Sequence, residues 1–421
     1  MTTAIVNATV IDGTGRDPIT RGAVVIENEH ITAVGAGVEP PRDAEIIDAA
    51  GATVMPGMID CHVHLFGKVA GIMDRQRLPT SLQVLHGAKN ALRTLDSGFT
   101  SVRDAGGSPQ GLKMAIAEGL IPGPRMRIAV THFSQTGGHG DSTMPSGAKL
   151  SGPTGGGVEW PDNIVDGVDQ VRLGVREALR AGADFIKFSA TGGVLSPTDD
   201  PTHTAFDTEE IATFVFEARA KGKTCMSHAQ GTEGIRNAVF GGVESIEHCI
   251  YPDDETLAEM KKRGTFMVPT LVAPVWVLRY AERAPDSLHP ESIRKAMDVA
   301  DAHKIAVTRA IDAGVRIAFG TDQGVGPHGR NAEELGLLVE AGMTPMQAIV
   351  AATKTASECV HMANEVGTLE PGKLADLLLV DGNPLDDVTM LMNRDKLLMI
   401  MQGGRQHKNA LEVESRAATS A

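Results

Sequence analysis

Aromatic side chains are scarce, with 2 Trp, 2 Tyr and 11 Phe in 421 residues. So small a stock offers no broad stacking platform for bases or sugars. Basic residues are also short, 39 Lys and Arg against 53 Asp and Glu, and the net charge of −14 repels phosphate backbones and anionic membrane surfaces. Neither nucleic acid nor a membrane is an expected partner. Cysteine is rarer still: Cys61, Cys225, Cys249 and Cys359 form no CxxC pair, and four in so long a chain make no disulfide framework. A reducing compartment fits best. The start, MTTAIVNATVIDGTG, lacks the basic and apolar segments of a secretory signal, and no run of about 18 apolar residues is present to span a bilayer. These absences together predict a cytoplasmic protein. Nucleotide signatures are missing too, since the glycine clusters contain neither GxxxxGK[ST] nor a strand–GxGxxG–helix.

What is present is an ordinary globular composition, 42% hydrophobic and 22% charged, with length enough for one large barrel and attachments. The first fifty-odd residues alternate apolar and polar positions in TAIVNATVID, GAVVIENEHITAVG and ATVMPG, which is a strand-and-turn pattern. From Met58 to Asp322 eight short apolar runs alternate with helical segments such as SLQVLHGAKNALRTLDSG and VDQVRLGVREALRAGA. The runs are 58–64, 99–104, 125–131, 184–189, 224–229, 245–249, 265–271 and 316–322. Eight strands with crossover helices predict an α/β fold, a (β/α)8 TIM-like barrel over 57–363. Two helical segments follow, around 331–341 and 345–362, and then GTLEPGKLADLLLVDGNPL and DKLLMIMQGGRQ return to strands. Residues 1–56 and 364–412 are expected to join in one small β-sandwich, because short lone strands bury too little to be stable separately. The Gly-rich stretch 137–157 reads as a loop with the makings of a lid, and LEVESRAATSA as a frayed end.

His62 and His64 in DCHVHL lie two apart on a strand, so both project to one side while Cys61 and Val63 face the other. Two imidazoles on one face at the carboxyl end of a barrel strand can share a metal. His-x-His alone is a weak signal, but His228, His248 and Asp322 stand at the ends of the fifth, sixth and eighth runs. Each has a plain alternative: His228 bonding a carbonyl, His248 pairing with Glu247, Asp322 capping a turn. Lys187 in DFIKFS shares a barrel-facing side with Phe185 and Ser189, where a cationic amine is costly. Burial favours the neutral amine, which can take up carbon dioxide as a carbamate. The alternative is a lysine that reaches solvent or pairs with an acid. His203, His289 and His328 sit in Pro- or Gly-rich loops, where exposure is the default.

PGMIDCHVHL, GFTSVRDAGG, IKFSATGGVLSP, SHAQG, SIEH, FGTD and GTLEPGKLADLLLVDGNPL together resemble the metal-dependent amidohydrolase superfamily, across nearly the whole chain. THFSQTGGHGD and TGGVLSPTDDP are most similar to its prolidase-like carboxypeptidases and imidazolonepropionase-related members, near which ochratoxin-degrading amidohydrolases belong. By position, the resemblance implies two zinc ions per chain. His62, His64 and Asp322 would hold one and His228 and His248 the other, with carboxylated Lys187 and a hydroxide bridging them. It implies Asp322 as proton shuttle for attack on an amide carbonyl, and His139 in GGHGD as the group that polarises the carbonyl. His132, at the end of the third run, is a weaker outer candidate, and an exposed position is the alternative for His139. Arg236 offers a fork for a substrate carboxylate, against the alternative of a helix-surface pair with Glu233.

Two departures sit beside the site. Gln230 follows SHA, on the expected substrate side, where relatives carry an aromatic residue, and Cys249 follows SIEH where glycine is common. The implied activity is hydrolysis of the amide bond to a carboxyl-terminal amino acid in dipeptides or N-acyl amino acids, with ochratoxin A among the amides the resemblance brings in. Cyclic amides, carbamates or ureas on the same metal site form the first alternative, and a catalytically silent scaffold the second. Related enzymes form large homo-oligomers, so self-association, up to an octamer, is the implied state.

Overall fold

The computed structural model describes residues 2–67, 78–143, 146–147, 158–196, 199–284 and 288–411. Of the expected lid at 137–157, residues 144–145 and 148–157 lie outside the described residues, as does the tail beyond 411. Strands are numbered along the chain: β1 Thr2–Val10, β2 Ile19–Glu27, β3 His30–Ala36, β4 Glu45–Asp48, β5 Thr53–Pro56, β6 Met58–Val63, β7 Phe99–Asp104 and β8 Arg125–Ile128. Then come β9 His132–Phe133, β10 Ile186–Ser189, β11 Cys225–Ala229, β12 Ser245–His248, β13 Phe266–Val268, β14 Arg316–Ile317, β15 Leu377–Val380, β16 Leu397–Gln402 and β17 Arg405–Asn409.

Two compact units are present, one of Met1–Asp60, Arg93–Ser101 and Gly329–Ala421, the other of Cys61–Leu92 and Val102–His328. In the first, both chain ends share one sheet in the order β17-β16-β15-β5-β1-β2-β3, with β4 beside β1. The join is antiparallel, Leu378 opposite Met55 and Leu379 opposite Val54. β15 reads LLLV and every residue is buried, as a strand paired on both edges and packed on both faces requires. Ile5, Val24, Val54, Leu377, Leu379 and Met399 form its core.

The second unit carries the parallel run β14-β13-β12-β11-β10-β9, and β6, β7 and β8 form a three-stranded sheet. All eight predicted runs contain a strand, but the last two are short. Pro269 ends β13, since proline cannot donate to a ladder, and Thr270 then turns with a φ of 57°. After β14 the chain leaves its neighbour and bonds to the first run instead: Cys61 N donates to Phe319 O at 2.9 Å and His64 N to Gln323 O at 2.7 Å. Helices separate the strands as expected. Gly167–Arg180 buries Val171, Gly174, Val175 and Ala178, a stripe at helical spacing, and exposes its charges. Gly174 allows the close approach, because a Cβ there would lie 2.9 Å from Phe133 Cε1. The four cysteines are buried and none is in a disulfide, and no described helix is long and apolar enough to cross a membrane.

Candidate active site

His62 on β6 and His64 just beyond it meet on one side, with ring centroids 5.4 Å apart. Each ring commits one nitrogen to a structural bond: His62 Nδ1 lies 2.8 Å from Glu247 Oε2, and His64 Nδ1 donates to the Gly106 carbonyl at 2.9 Å. Their Nε2 atoms turn to one carboxylate, 3.4 and 3.2 Å from Asp322 Oδ1. The three ligand-type atoms fall within 4.8 Å of one another. His228 and His248, from the ends of β11 and β12, have ring centroids 4.6 Å apart, and His248 is 5.3 Å from His62. His228 Nε2 donates to the Gly192 carbonyl at 3.0 Å and His248 Nδ1 faces Thr270 Oγ1 at 2.6 Å.

Lys187 on β10 is 1% exposed and stands in register between His132 on β9 and Met226 on β11. Burial lowers its amine to about 8, against the opposing pull of Glu247 and Asp322. Burial, seconded by the Lys187 charge, takes His62 down to about 4, and burial leads in holding His132, His228 and His248 well below the ordinary imidazole range. For Asp322, burial works to raise the carboxyl, but His62, His64 and Lys187 hold it below its usual value. For His64, burial works downward, and the hydrogen bond and charge of Asp322 overcome it. Neutral His62, His228 and His248, with His64 and an ionised Asp322 beside them, are a donor set that fits a divalent metal.

Backbone strain sits at the same place. His248, Cys249, Thr270 and Asp322 have φ of 70°, 54°, 57° and 56°, a region costing L-residues roughly 1–2 kcal/mol each. Glycine enters it freely, so the glycine expected after SIEH would fit here without strain, and Cys249 sits in a region that side chains rarely adopt. His303, 1% exposed, braces this turn by donating from Nε2 to the His248 carbonyl at 3.0 Å.

Sequence reasoning missed a buried charge cluster beneath the histidines. Arg103 on β7 donates to Glu247 Oε1 at 2.9 Å, to Ser245 Oγ at 3.0 Å and to the Cys61 carbonyl at 2.7 Å. Glu247 is thereby clamped between Arg103 and His62, and burial fails to raise its carboxyl because Arg103 and His62 hold it down. A carboxylate on Nδ1 keeps that nitrogen protonated and aims the Nε2 lone pair inward. Sequence had offered Glu247 only as an alternative partner for His248; the usable signal was a charged residue inside each of two strands, FTSVRD and SIEH. Glu247→Gln is expected to weaken metal binding by about 10–100-fold, read by competition with a chelator; unchanged affinity would exclude the orienting role.

The other expected residues divide. His139 stacks on His228 at 4.2 Å and 18°. Gln230 is buried beside it, and its Oε1 has no hydrogen-bond partner. His139, His228, Gln230, His248, His303 and Asp322 line one cleft, whose other wall is apolar, with Val194, Ile250, Pro274, Val277 and Val299. His132 bonds Ser189 Oγ through Nε2 at 2.6 Å. Arg236 is not brought to the cleft's lining. Its guanidinium makes a bidentate pair with Glu255 at 2.7 and 3.1 Å and lies over the Phe240 ring. With both its fork and its face occupied, Arg236→Met is expected to leave KM for carboxylate substrates unchanged; a raised KM would restore it to substrate binding. His328, expected in solvent, is instead 4% exposed and bonds the His64 carbonyl at 3.2 Å.

A parallel-stranded α/β unit with a His-His-Asp cluster at its strand ends, His62 buried and His64 and Asp322 partly exposed, is an arrangement that suits a metal-dependent hydrolase. Residues 53–406 match the amidohydrolase family, to which this chain belongs. It is 35% identical to the ochratoxinase of Aspergillus niger, over 96% of this chain and 86% of that one. The imidazolonepropionase of a Geobacillus species is 26% identical over 86% of this chain and 84% of its own. A prolidase solved in complex with N-methylphosphonate-L-proline superposes with a TM-score of 0.90 at 34% identity, covering 97% of this chain and all of the other, 100%. The chain is therefore an amidohydrolase, a hydrolase acting on C–N bonds, from a family that is generally metal-dependent.

Proposed function

We propose that this chain hydrolyses the amide bond to a carboxyl-terminal amino acid in dipeptides or N-acyl amino acids, ochratoxin A included, at a binuclear zinc centre on a (β/α)8 barrel. The observation that carries the reading is the convergence of His62, His64 and Asp322 within 4.8 Å beside an apolar-walled cleft. His62, His64 and Asp322 would hold one ion and His228 and His248 the other, with Lys187 as a carbamate between them. Bound divalent ions supply Lewis acidity and make hydrolytic water acidic near neutral pH. Asp322 takes a proton from that water on a carboxylate oxygen and returns it to the leaving nitrogen. His139 and Gln230 face the substrate, and the wall of Val194, Ile250, Val277 and Val299 seats its apolar part and excludes bulk water. The carboxyl-terminal amino acid is supported by the prolidase and ochratoxinase likenesses.

The test is amino-acid release, followed by mass spectrometry, from dipeptides, N-acyl amino acids and ochratoxin A incubated with zinc-loaded protein. Release that vanishes in Asp322→Asn supports the proposal. Absence of release with two metals bound per chain would overturn it in favour of cyclic amides, carbamates or ureas.

A further inference from the structure

A second buried network stands behind His139. Its Nδ1 lies 2.8 Å from Ser196 Oγ and 3.6 Å from Asp199 Oδ2, and Ser196 Oγ bonds Asp199 Oδ1. Asp199 Oδ2 also accepts from the Gly193 N–H at 3.1 Å. Lys295, 2% exposed on the helix Pro290–Ala313, donates to the carbonyls of Gly193 at 2.6 Å, Ser196 at 2.5 Å and Asp199 at 2.9 Å. One buried ammonium thus ties together the backbone of three residues around the imidazole. Gly193 makes room for the ring, since a Cβ there would lie 2.3 Å from His139 Cε1.

Proton counting fixes one ring nitrogen. An ionised carboxylate only accepts, so the single Ser196 hydroxyl proton goes to Asp199, and the Ser196 oxygen must then accept from Nδ1–H of His139. Nε2 is left as the atom available to the cleft, and no described residue bonds it. The ring is held against His228, at the lining of the cleft.

We propose that Asp199, acting through Ser196, is a positioning residue that keeps Nδ1 of His139 protonated, so that Nε2 is the ring atom presented to the substrate. This rests on the reading of the cleft as the substrate site.

Histidine-selective 15N NMR of the metal-loaded protein, with the His139 signals assigned by loss in His139→Gln, reads the tautomer directly. Protonated Nδ1 is expected in the wild type, and its loss in Ser196→Ala. A bare Nδ1 in the wild type, or unchanged shifts in Ser196→Ala, would overturn the proposal. In the amide assay, Ser196→Ala and Asp199→Asn are each expected to lower kcat by about 10-fold with metal content unchanged, and Ser196→Thr to restore most of it. In a His139→Ala background neither substitution should cost more, whereas full additivity would make the network merely structural. If no amide is cleaved by the wild type, the functional reading falls while the NMR result still decides the tautomer.

Discussion

Asp322→Asn is expected to keep metal bound while lowering turnover by about 10²–10⁴-fold, the usual scale of a lost proton transfer. The substitution preserves shape and leaves an amide oxygen where Oδ1 now stands 3.4 and 3.2 Å from the Nε2 atoms of His62 and His64. It removes the basic oxygen. A primary amide does not take up a proton near neutral pH, so the carrier between water and leaving nitrogen is gone although the pocket is intact. Metal analysis alongside kcat separates the two roles. Retained metal with lost turnover matches the expectation; substantial turnover would reject Asp322 as shuttle, and loss of metal would make it a ligand first.

Lys187→Ala has the second largest expected effect. Lys187 is 1% exposed and its amine is lowered to about 8 by burial, so carbamate formation is open to it under mild conditions. Removing it deletes the only side chain on β10 able to supply an anionic bridge between the two histidine pairs. The loss in metal affinity should exceed the roughly 10–100-fold that follows removal of an outer partner. Added acetate, small enough to enter the vacated space and anionic like the carbamate, should restore part of both metal binding and turnover. Native mass spectrometry should show one carbon dioxide adduct in the wild type and none in Lys187→Ala. Full metal binding in Lys187→Ala without acetate would remove the lysine from the centre.

How much of this was legible differs residue by residue. The face shared by His62 and His64 follows from strand periodicity alone, because alternation of side chains is a property of any extended chain. The approach of His228, His248 and Asp322 followed from counting strands, since parallel strands end on one side whatever their loops do. Arg103 and Glu247 were visible as charges in strands, yet their pairing across 144 residues of sequence was not. Arg236 shows the opposite failure. Its type suggested a substrate carboxylate and its neighbour Glu233 a local pair, but its partner is Glu255, on a different helix. Side-chain partners on helix surfaces depend on how neighbouring helices are phased, which no local pattern records.

The amino-acid sequence by itself determined the alternation of strand and helix and the histidine pair on β6, and it brought the strands of both chain ends together, expected as a sandwich where the structure has one sheet. These rest on side-chain periodicity and on the burial that short apolar strands need, both local properties. Only the tertiary structure decided which ring nitrogen each histidine keeps for the interior. Glu247 reaches His62 from 185 residues away, and Ser196 reaches His139 from 57. A tautomer is set by whichever donor or acceptor arrives at the other nitrogen, and that arrival is a matter of loop path and packing.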